Sequence, residues 1–111
     1  MGRTLTKEEE QLVSHLRAAA KRPLMWMPRG TYDEFCALVT GIEVGSGTTM
    51  LKEFQQWLGE RNPDYKNYVH YCLVLVEMGY HPRPGWPNLS AEESAPVSAR
   101  FISLLDEFLG R

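Results

Sequence analysis

The segment Lys21–Phe35, K-R-P-L-M-W-M-P-R-G-T-Y-D-E-F, decides how the chain passes from its first helix into its core. Pro23 has no backbone N–H to donate and disfavours a helical conformation at the preceding residue, so a helix arriving from the N-terminus is predicted to stop here. The next residues are expected to be extended, with the four large apolar side chains of residues 24–27 buried against helix ends, because each contributes about 1.5 to 3 kcal/mol when fully buried. Thr31 and Glu34 form an S/T-x-x-E capping box, which predicts the start of the next helix.

Length and composition are those of one globular domain. The chain has 111 residues, of which 43% are hydrophobic and 23% charged, so a single core is expected and residues 1–111 are predicted to form one helical domain. No apolar run approaches the roughly 18 residues needed to span a bilayer, and the start M-G-R-T-L-T-K-E-E-E lacks the apolar segment of a signal peptide. A cytoplasmic location without membrane contact is therefore expected.

Charge is unevenly distributed along the chain. Residues 1–30 hold six basic and three acidic residues (+3), whereas residues 31–111 hold six basic and eleven acidic residues (−5), which together give the net charge of −2. An acidic body favours a basic protein partner, although an ordinary solvated surface accounts for the same distribution.

Apolar spacing and capping signals predict an all-α bundle of about five helices. The first follows the Thr6/Glu9 capping box and the last follows Ser90/Glu93, with Pro96 either ending a short turn or lying early in that helix. The predicted helices are about Lys7–Lys21, Tyr32–Glu43, one that begins at Thr48 or Thr49, a central one from Asn62-Pro63 to Gly79, and one that carries Val97, Phe101, Leu104, Leu105 and Phe108.

The central helix is predicted from a regular spacing of three and four between apolar residues. This spacing places His70 off the buried stripe, facing water. The β-branched and aromatic content of residues 68–76 leaves a buried strand as the alternative.

A proline-rich loop, Tyr80–Leu89, is predicted before the last helix, because three prolines and a glycine disfavour regular structure there. Trp86 in this loop is an efficient candidate for an interface anchor, since little side-chain entropy is lost when it docks. The alternative is that Trp86 folds back as a lid on the helices.

Catalytic and metal-binding signatures do not occur in the sequence, so we expect a protein that is not an enzyme and needs no cofactor. Cys36, His70 and His81 are scattered and lack a supporting motif. Cys36 and Cys72 have no metal-ligand spacing and are expected to be buried free thiols.

Four short segments, spread over most of the chain, resemble a group of small bacterial proteins. They are Arg22-Pro23-Leu24-Met25-Trp26, the Gly41-Ile42 pair, Phe54-Gln55-Gln56-Trp57, and Phe101-Ile102-Ser103-Leu104-Leu105-Asp106-Glu107-Phe108. Members of the group carry R-P-G-M-Y near their start, a helix ending in Gly-Tyr, an F-x-x-W-like third helix and a closing F-x-x-L-L-x-E-F. Here Leu24 stands at the usual glycine, Trp26 at the tyrosine and Ile42 at the second tyrosine.

The group looks like immunity proteins from toxin loci. The resemblance implies a protein that binds and occludes a toxin domain without catalysis, and hence a protein partner, which the acidic body predicts to be basic. The residues predicted to make this contact are Asp33, Glu43, Trp86, Asp106 and Glu107.

Two other functions are kept as alternatives. The first is a regulatory or adaptor domain that binds a nucleic acid or a host protein through the basic end of helix one, with Arg17, Lys21, Arg22 and Arg29 as candidates; nucleic acid is disfavoured because the rest of the chain is acidic. The second is a small-ligand pocket among Trp26, Trp57 and Tyr68.

Overall fold

The computed structural model describes residues 4–82 and 88–111, and these residues form six α-helices and one 3-10 turn. The helices are α1 (Lys7–Lys21), α2 (Pro23–Trp26), α3 (Tyr32–Ser46), α4 (Met50–Arg61), α5 (His70–Glu77) and α6 (Ala91–Leu109), with the 3-10 turn Pro63–Tyr65 between α4 and α5. The predicted all-α fold class is confirmed, and α2 is an addition to the predicted helices. Among the described helices, none combines the length and apolar character required to cross a membrane.

Local capping interactions set three helix starts where the sequence predicts them. The hydroxyl of Thr6 accepts a hydrogen bond from the Glu9 backbone N–H at 3.1 Å, and the Glu9 carboxylate accepts one from the Thr6 N–H at 2.9 Å. The same reciprocal pattern begins α3 at Thr31 and α6 at Ser90. Each pattern provides partners for backbone N–H groups that the first turn of a helix leaves unpaired.

The helix α6 runs through the centre of the fold and contacts α1, α3, α4 and α5. Phe101 lies at the middle of this helix, with its ring centroid 5.4 Å from those of both Phe35 and Phe54. At the start of α6, the buried hydroxyl of Ser94 accepts a hydrogen bond from the Tyr32 backbone N–H at 2.7 Å, which joins the starts of α3 and α6. The core therefore forms around α6.

The predicted central helix is interrupted. Only the 3-10 turn forms at Pro63–Tyr65, and α5 begins seven residues after Pro63, at His70. The interruption changes the helical phase, so that the buried side chains of α5 include His70, Leu73 and Val74 at positions i, i+3 and i+4. The prediction that His70 faces water is wrong, since its side chain is 2% exposed.

The end of α3 and the start of α6 can also be compared with the predictions. The helix α3 continues to Ser46, beyond its predicted end at Glu43, and Gly47 follows it in the left-handed conformation with φ 69°. Pro96 lies within α6, so of the two alternatives predicted for it the place early in the last helix is correct and the end of a short turn is wrong. Of the predicted proline-rich loop, residues 83–87 fall outside the described part of the chain, and Leu89 at its end is buried.

Candidate functional site

Three consecutive apolar side chains on α2 face solvent. Leu24 and Met25 are each 73% exposed and Trp26 is 41% exposed, whereas Met27 is buried. The predicted burial of residues 24–27 is therefore correct for Met27 and wrong for the other three. The prediction that the residues after Pro23 are extended is also wrong, because Pro23–Trp26 form one helical turn that buries none of its side chains. Only Met27, where the backbone becomes extended, enters the core.

Backbone hydrogen bonds and a glycine hold this turn in place. The N–H of Met27 donates to the carbonyl of Pro23 at 2.8 Å, and the N–H of Met25 donates to the carbonyl of Arg22 at 3.1 Å. Gly30 adopts φ 69° and lies against Pro23 and Leu24, where an added Cβ would come within 3.4 Å of side-chain carbons of both. Only glycine adopts this conformation readily, so the chain after α2 returns closely against it.

Trp26 packs against His15 on α1. Its ring centroid lies 5.7 Å from that of His15, with the two ring planes inclined by 51°. A side chain that is already positioned loses less entropy on binding than a free one. We refer to Leu24, Met25 and Trp26 together as the α2 surface.

The charged residues nearest to the α2 surface in the sequence, within residues 21–30, are all basic. Lys21 and Arg22 precede it, are exposed, and form no ion pair with any described residue. Arg29 follows it and pairs loosely with Glu34, with Nε 3.6 Å from Oε2. The α2 surface is thus an apolar projection flanked by positive charge.

Asp106 and Glu107, two predicted contact residues, form ion pairs within the protein. Asp106 receives two hydrogen bonds from the guanidinium of Arg17 on α1, at 3.1 and 2.6 Å, and this contact raises the pKa of Arg17. Glu107 lies 2.9 Å from the guanidinium of Arg61 on α4, which also pairs with Glu77. The two carboxylates are directed at different helices and do not form a single acidic patch.

Glu43, another predicted contact residue, is paired with His70. Its Oε1 lies 3.0 Å from Nε2 of His70, whose ring also contacts Phe54 and Phe101. Burial lowers the pKa of His70, and the hydrogen bond to Glu43 opposes this effect only in part. His70 is therefore neutral at pH 7, and its pairing with Glu43 joins the end of α3 to the start of α5.

The remaining predicted contact residues are Asp33 and Trp86. Asp33 is exposed in the first turn of α3, beside a shallow cleft that Cys36 and Tyr71 also line. Trp86 falls outside the described residues. The contacts of Asp33, Glu43, Asp106 and Glu107 therefore do not bring them together, and their role in binding stays a prediction.

Both cysteines are free thiols, as predicted, but the predicted burial is confirmed only for Cys36. Cys36 is buried and Cys72 is half-buried, and burial raises the pKa of each thiol. In the part of the chain that the structure describes, no group of three His, Cys, Asp or Glu side chains could hold a metal ion.

The aromatic residues of the predicted ligand pocket have separate ring contacts. Trp26 contacts His15, Trp57 contacts Phe54 and Phe108, and Tyr68 contacts Tyr65. A cleft of about 360 Å³ lies instead between α1 and α3 and includes His15 in its lining, so it adjoins the α2 surface.

The site residues that sequence reasoning missed are Leu24 and Met25 as exposed side chains, together with His15 as the support of Trp26. A signal was available, because Pro23 is well suited to the first position of a helix and the proline at 28 closes the segment after one turn. No family model, curated protein or solved structure matches the chain.

Proposed function

We propose that the protein is an immunity protein that binds a cognate toxin domain and occludes it without catalysis, with the α2 surface as its central contact. The observation that carries the proposal is the exposure of Leu24, Met25 and Trp26 on a turn that is fixed to the rest of the fold. The resemblance of the surrounding segment to immunity proteins supports the same function.

The exposed side chains are of the kind that anchors a protein interface. Binding energy in such interfaces is concentrated in a few residues, among which tryptophan is enriched. The largest exposed apolar patch of a protein is often an interaction site, and each of these side chains gains free energy when it leaves water. Because Trp26 already packs against His15, its side chain would lose little conformational freedom on docking.

The acidic character of residues 31–111 supports a toxin domain that is basic overall. Opposite net charges accelerate the encounter of two proteins over distances longer than a contact. The side chain of Glu107 is half-exposed although it pairs with Arg61, and Asp33 is exposed, so both are available to a partner's cation.

The test is the gene immediately upstream. We expect it to encode a long protein that ends in a small toxic domain, and co-expression of that domain with this protein to restore growth that the domain alone prevents. Equal growth arrest with and without this protein would contradict the proposal.

A second candidate function is an adaptor that binds a nucleic acid or a host protein through the basic end of α1. Lys21 and Arg22 favour it because they are exposed and form no ion pair among the described residues. Binding to DNA or RNA that falls steeply with salt, and that is weakened by Arg22→Ala or Arg29→Ala, would favour this function over immunity.

A further inference from the structure

We infer that the α2 surface enters an apolar pocket of the toxin domain whose rim carries carboxylates, so that the partner is acidic at this contact even if it is basic overall. The inference rests on the proposed function, because it specifies the chemistry of the partner at the same site. It predicts that reversing two positive charges beside α2 weakens binding, whereas reversing two positive charges elsewhere on the protein does not.

The local charge supports an acidic rim. Residues 21–30 contain three cations, Lys21, Arg22 and Arg29, and no acidic residue, although residues 31–111 carry a charge of −5. Cations that border an apolar anchor are complementary to carboxylates that border the pocket receiving it. A basic rim would instead place like charges side by side as the anchor docks.

Three arginines of the fold, unlike the cations at α2, are held in close ion pairs, whereas Arg100 forms none among the described residues. Arg17, Arg61 and Arg111 each pair with a carboxylate at 3.1 Å or less. Lys21 and Arg22 make no such contact among the described residues, and Arg29 makes only a longer one, at 3.6 Å. Favourable charge at the end of α1 explains Lys21 and its C-cap residue Arg22 in part, but Arg29 lies beyond that helix.

A protein pocket accounts for the α2 surface better than a membrane or a nucleic acid does. Stable attachment to a membrane needs a second anchor or a cluster of about four to eight basic residues, and α2 offers one turn with three cations. A nucleic acid would contact the cations and leave Leu24 and Met25 in water. A pocket uses both the apolar side chains and the cations beside them.

The experiment measures binding of purified variants to the toxin domain encoded upstream, by calorimetry at two salt concentrations. One double variant, Leu24→Glu with Met25→Glu, removes the apolar anchor, and Val44→Glu on α3 is its control, since Val44 is 78% exposed. A second double variant, Lys21→Glu with Arg22→Glu, reverses the charge beside α2. Its control is Lys52→Glu with Lys66→Glu, two exposed lysines elsewhere that give the same change in net charge.

We expect the Leu24/Met25 variant to raise Kd at least about 30-fold and Val44→Glu to change it less than about threefold. We expect the Lys21/Arg22 variant to weaken binding about 10-fold or more, and the Lys52/Lys66 variant to leave binding unchanged or tighten it. Thermal unfolding of each variant shows whether it is folded. If the variant with both charges reversed does not fold, a Lys21→Gln with Arg22→Gln variant provides a milder charge change.

The outcomes separate this inference from the proposed function. If the wild-type protein neither binds nor protects, the proposed function and this inference are both wrong. If it binds and the Leu24/Met25 variant binds equally well, the assignment of the α2 surface is wrong and the proposed function stands. If the Lys21/Arg22 and Lys52/Lys66 variants both bind more tightly than the wild-type protein, the inference of an acidic rim is wrong. Two other results would also overturn the inference. The first is binding of this protein to phosphatidylglycerol vesicles that the Leu24/Met25 variant abolishes. The second is a dimer of this chain in gel filtration that the same variant abolishes.

Discussion

Nε2 of His70 lies 3.0 Å from Oε1 of Glu43, while Nδ1 on the other side of the same ring is buried and has no hydrogen-bond partner among the described residues. The pairing with a carboxylate places the proton of the neutral imidazole on Nε2. A second proton would have to go to Nδ1, where no acceptor is available. The geometry at Nδ1 therefore adds to the effect of burial, and both oppose protonation, whereas the Glu43 carboxylate favours it.

We predict that this pair makes stability depend on pH. Because the folded pKa of His70 is lowered below its ordinary value of about 6.5, the unfolded chain binds more protons than the folded one between these two values. The free energy of unfolding should fall as pH drops through this window, by at most about 1.4 kcal/mol per pH unit from this group, and should not depend on it above the window. Denaturant unfolding at a series of pH values measures the slope.

The control for this measurement is His70→Gln, which keeps a polar side chain without a titrating ring. The difference between the two profiles isolates His70, since His15 and His81 are present in both proteins. Parallel profiles from pH 7 to pH 5 would show that His70 does not titrate differently in the folded and unfolded states.

Substitutions on α2 and just after it should differ sharply in their effect on stability. We expect Met25→Ala to change the free energy of unfolding by less than about 0.5 kcal/mol, because its side chain is already in water. We expect Met27→Ala to cost about 2 to 3 kcal/mol, because it leaves a cavity in the core. Equal costs, measured by urea denaturation, would contradict the outward orientation of Met25.

Arg61 should contribute more to stability than Arg17. Arg61 pairs with Glu77 and Glu107, and its guanidinium carbon lies 4.6 Å from the ring centroid of Trp57. We expect Arg61→Ala to cost about 1 to 2 kcal/mol, and Arg17→Ala, which removes a single and more exposed pair, about 0.5 kcal/mol. Chemical denaturation measures both changes, and a larger loss of stability from Arg17→Ala than from Arg61→Ala would contradict the prediction.

Two glycines of the same segment should respond to alanine with opposite signs. Gly41 lies within α3 with nothing within 4 Å of an added Cβ, so Gly41→Ala should stabilise the protein by about 0.5 to 1 kcal/mol. Gly47 has φ 69°, a conformation that costs alanine about 1 kcal/mol or more, so Gly47→Ala should destabilise it. Thermal unfolding distinguishes the two, and a shift of equal sign in both would contradict the assigned backbone of α3 and its end.

The sequence alone was sufficient for features that depend on neighbouring residues. The helix starts at Thr6, Thr31 and Ser90 were predicted because the hydroxyl and the carboxylate that complete each cap lie three residues apart. The all-α class followed from apolar spacing, which repeats within each helix and needs no knowledge of the others. These interactions form within one turn of the chain, so the local pattern determines them.

Only the tertiary structure decided the exposure of α2, the burial of His70 and the partners of the charged side chains. Asp106 pairs with Arg17 across 89 positions of the sequence, and His70 with Glu43 across 27. Leu24 is apolar and yet exposed, because the remaining helices form the core without it and its one-turn helix points it away from them. Burial and ion pairing depend on which helices become neighbours, and a pattern along one segment carries no information about the partner that packs against it.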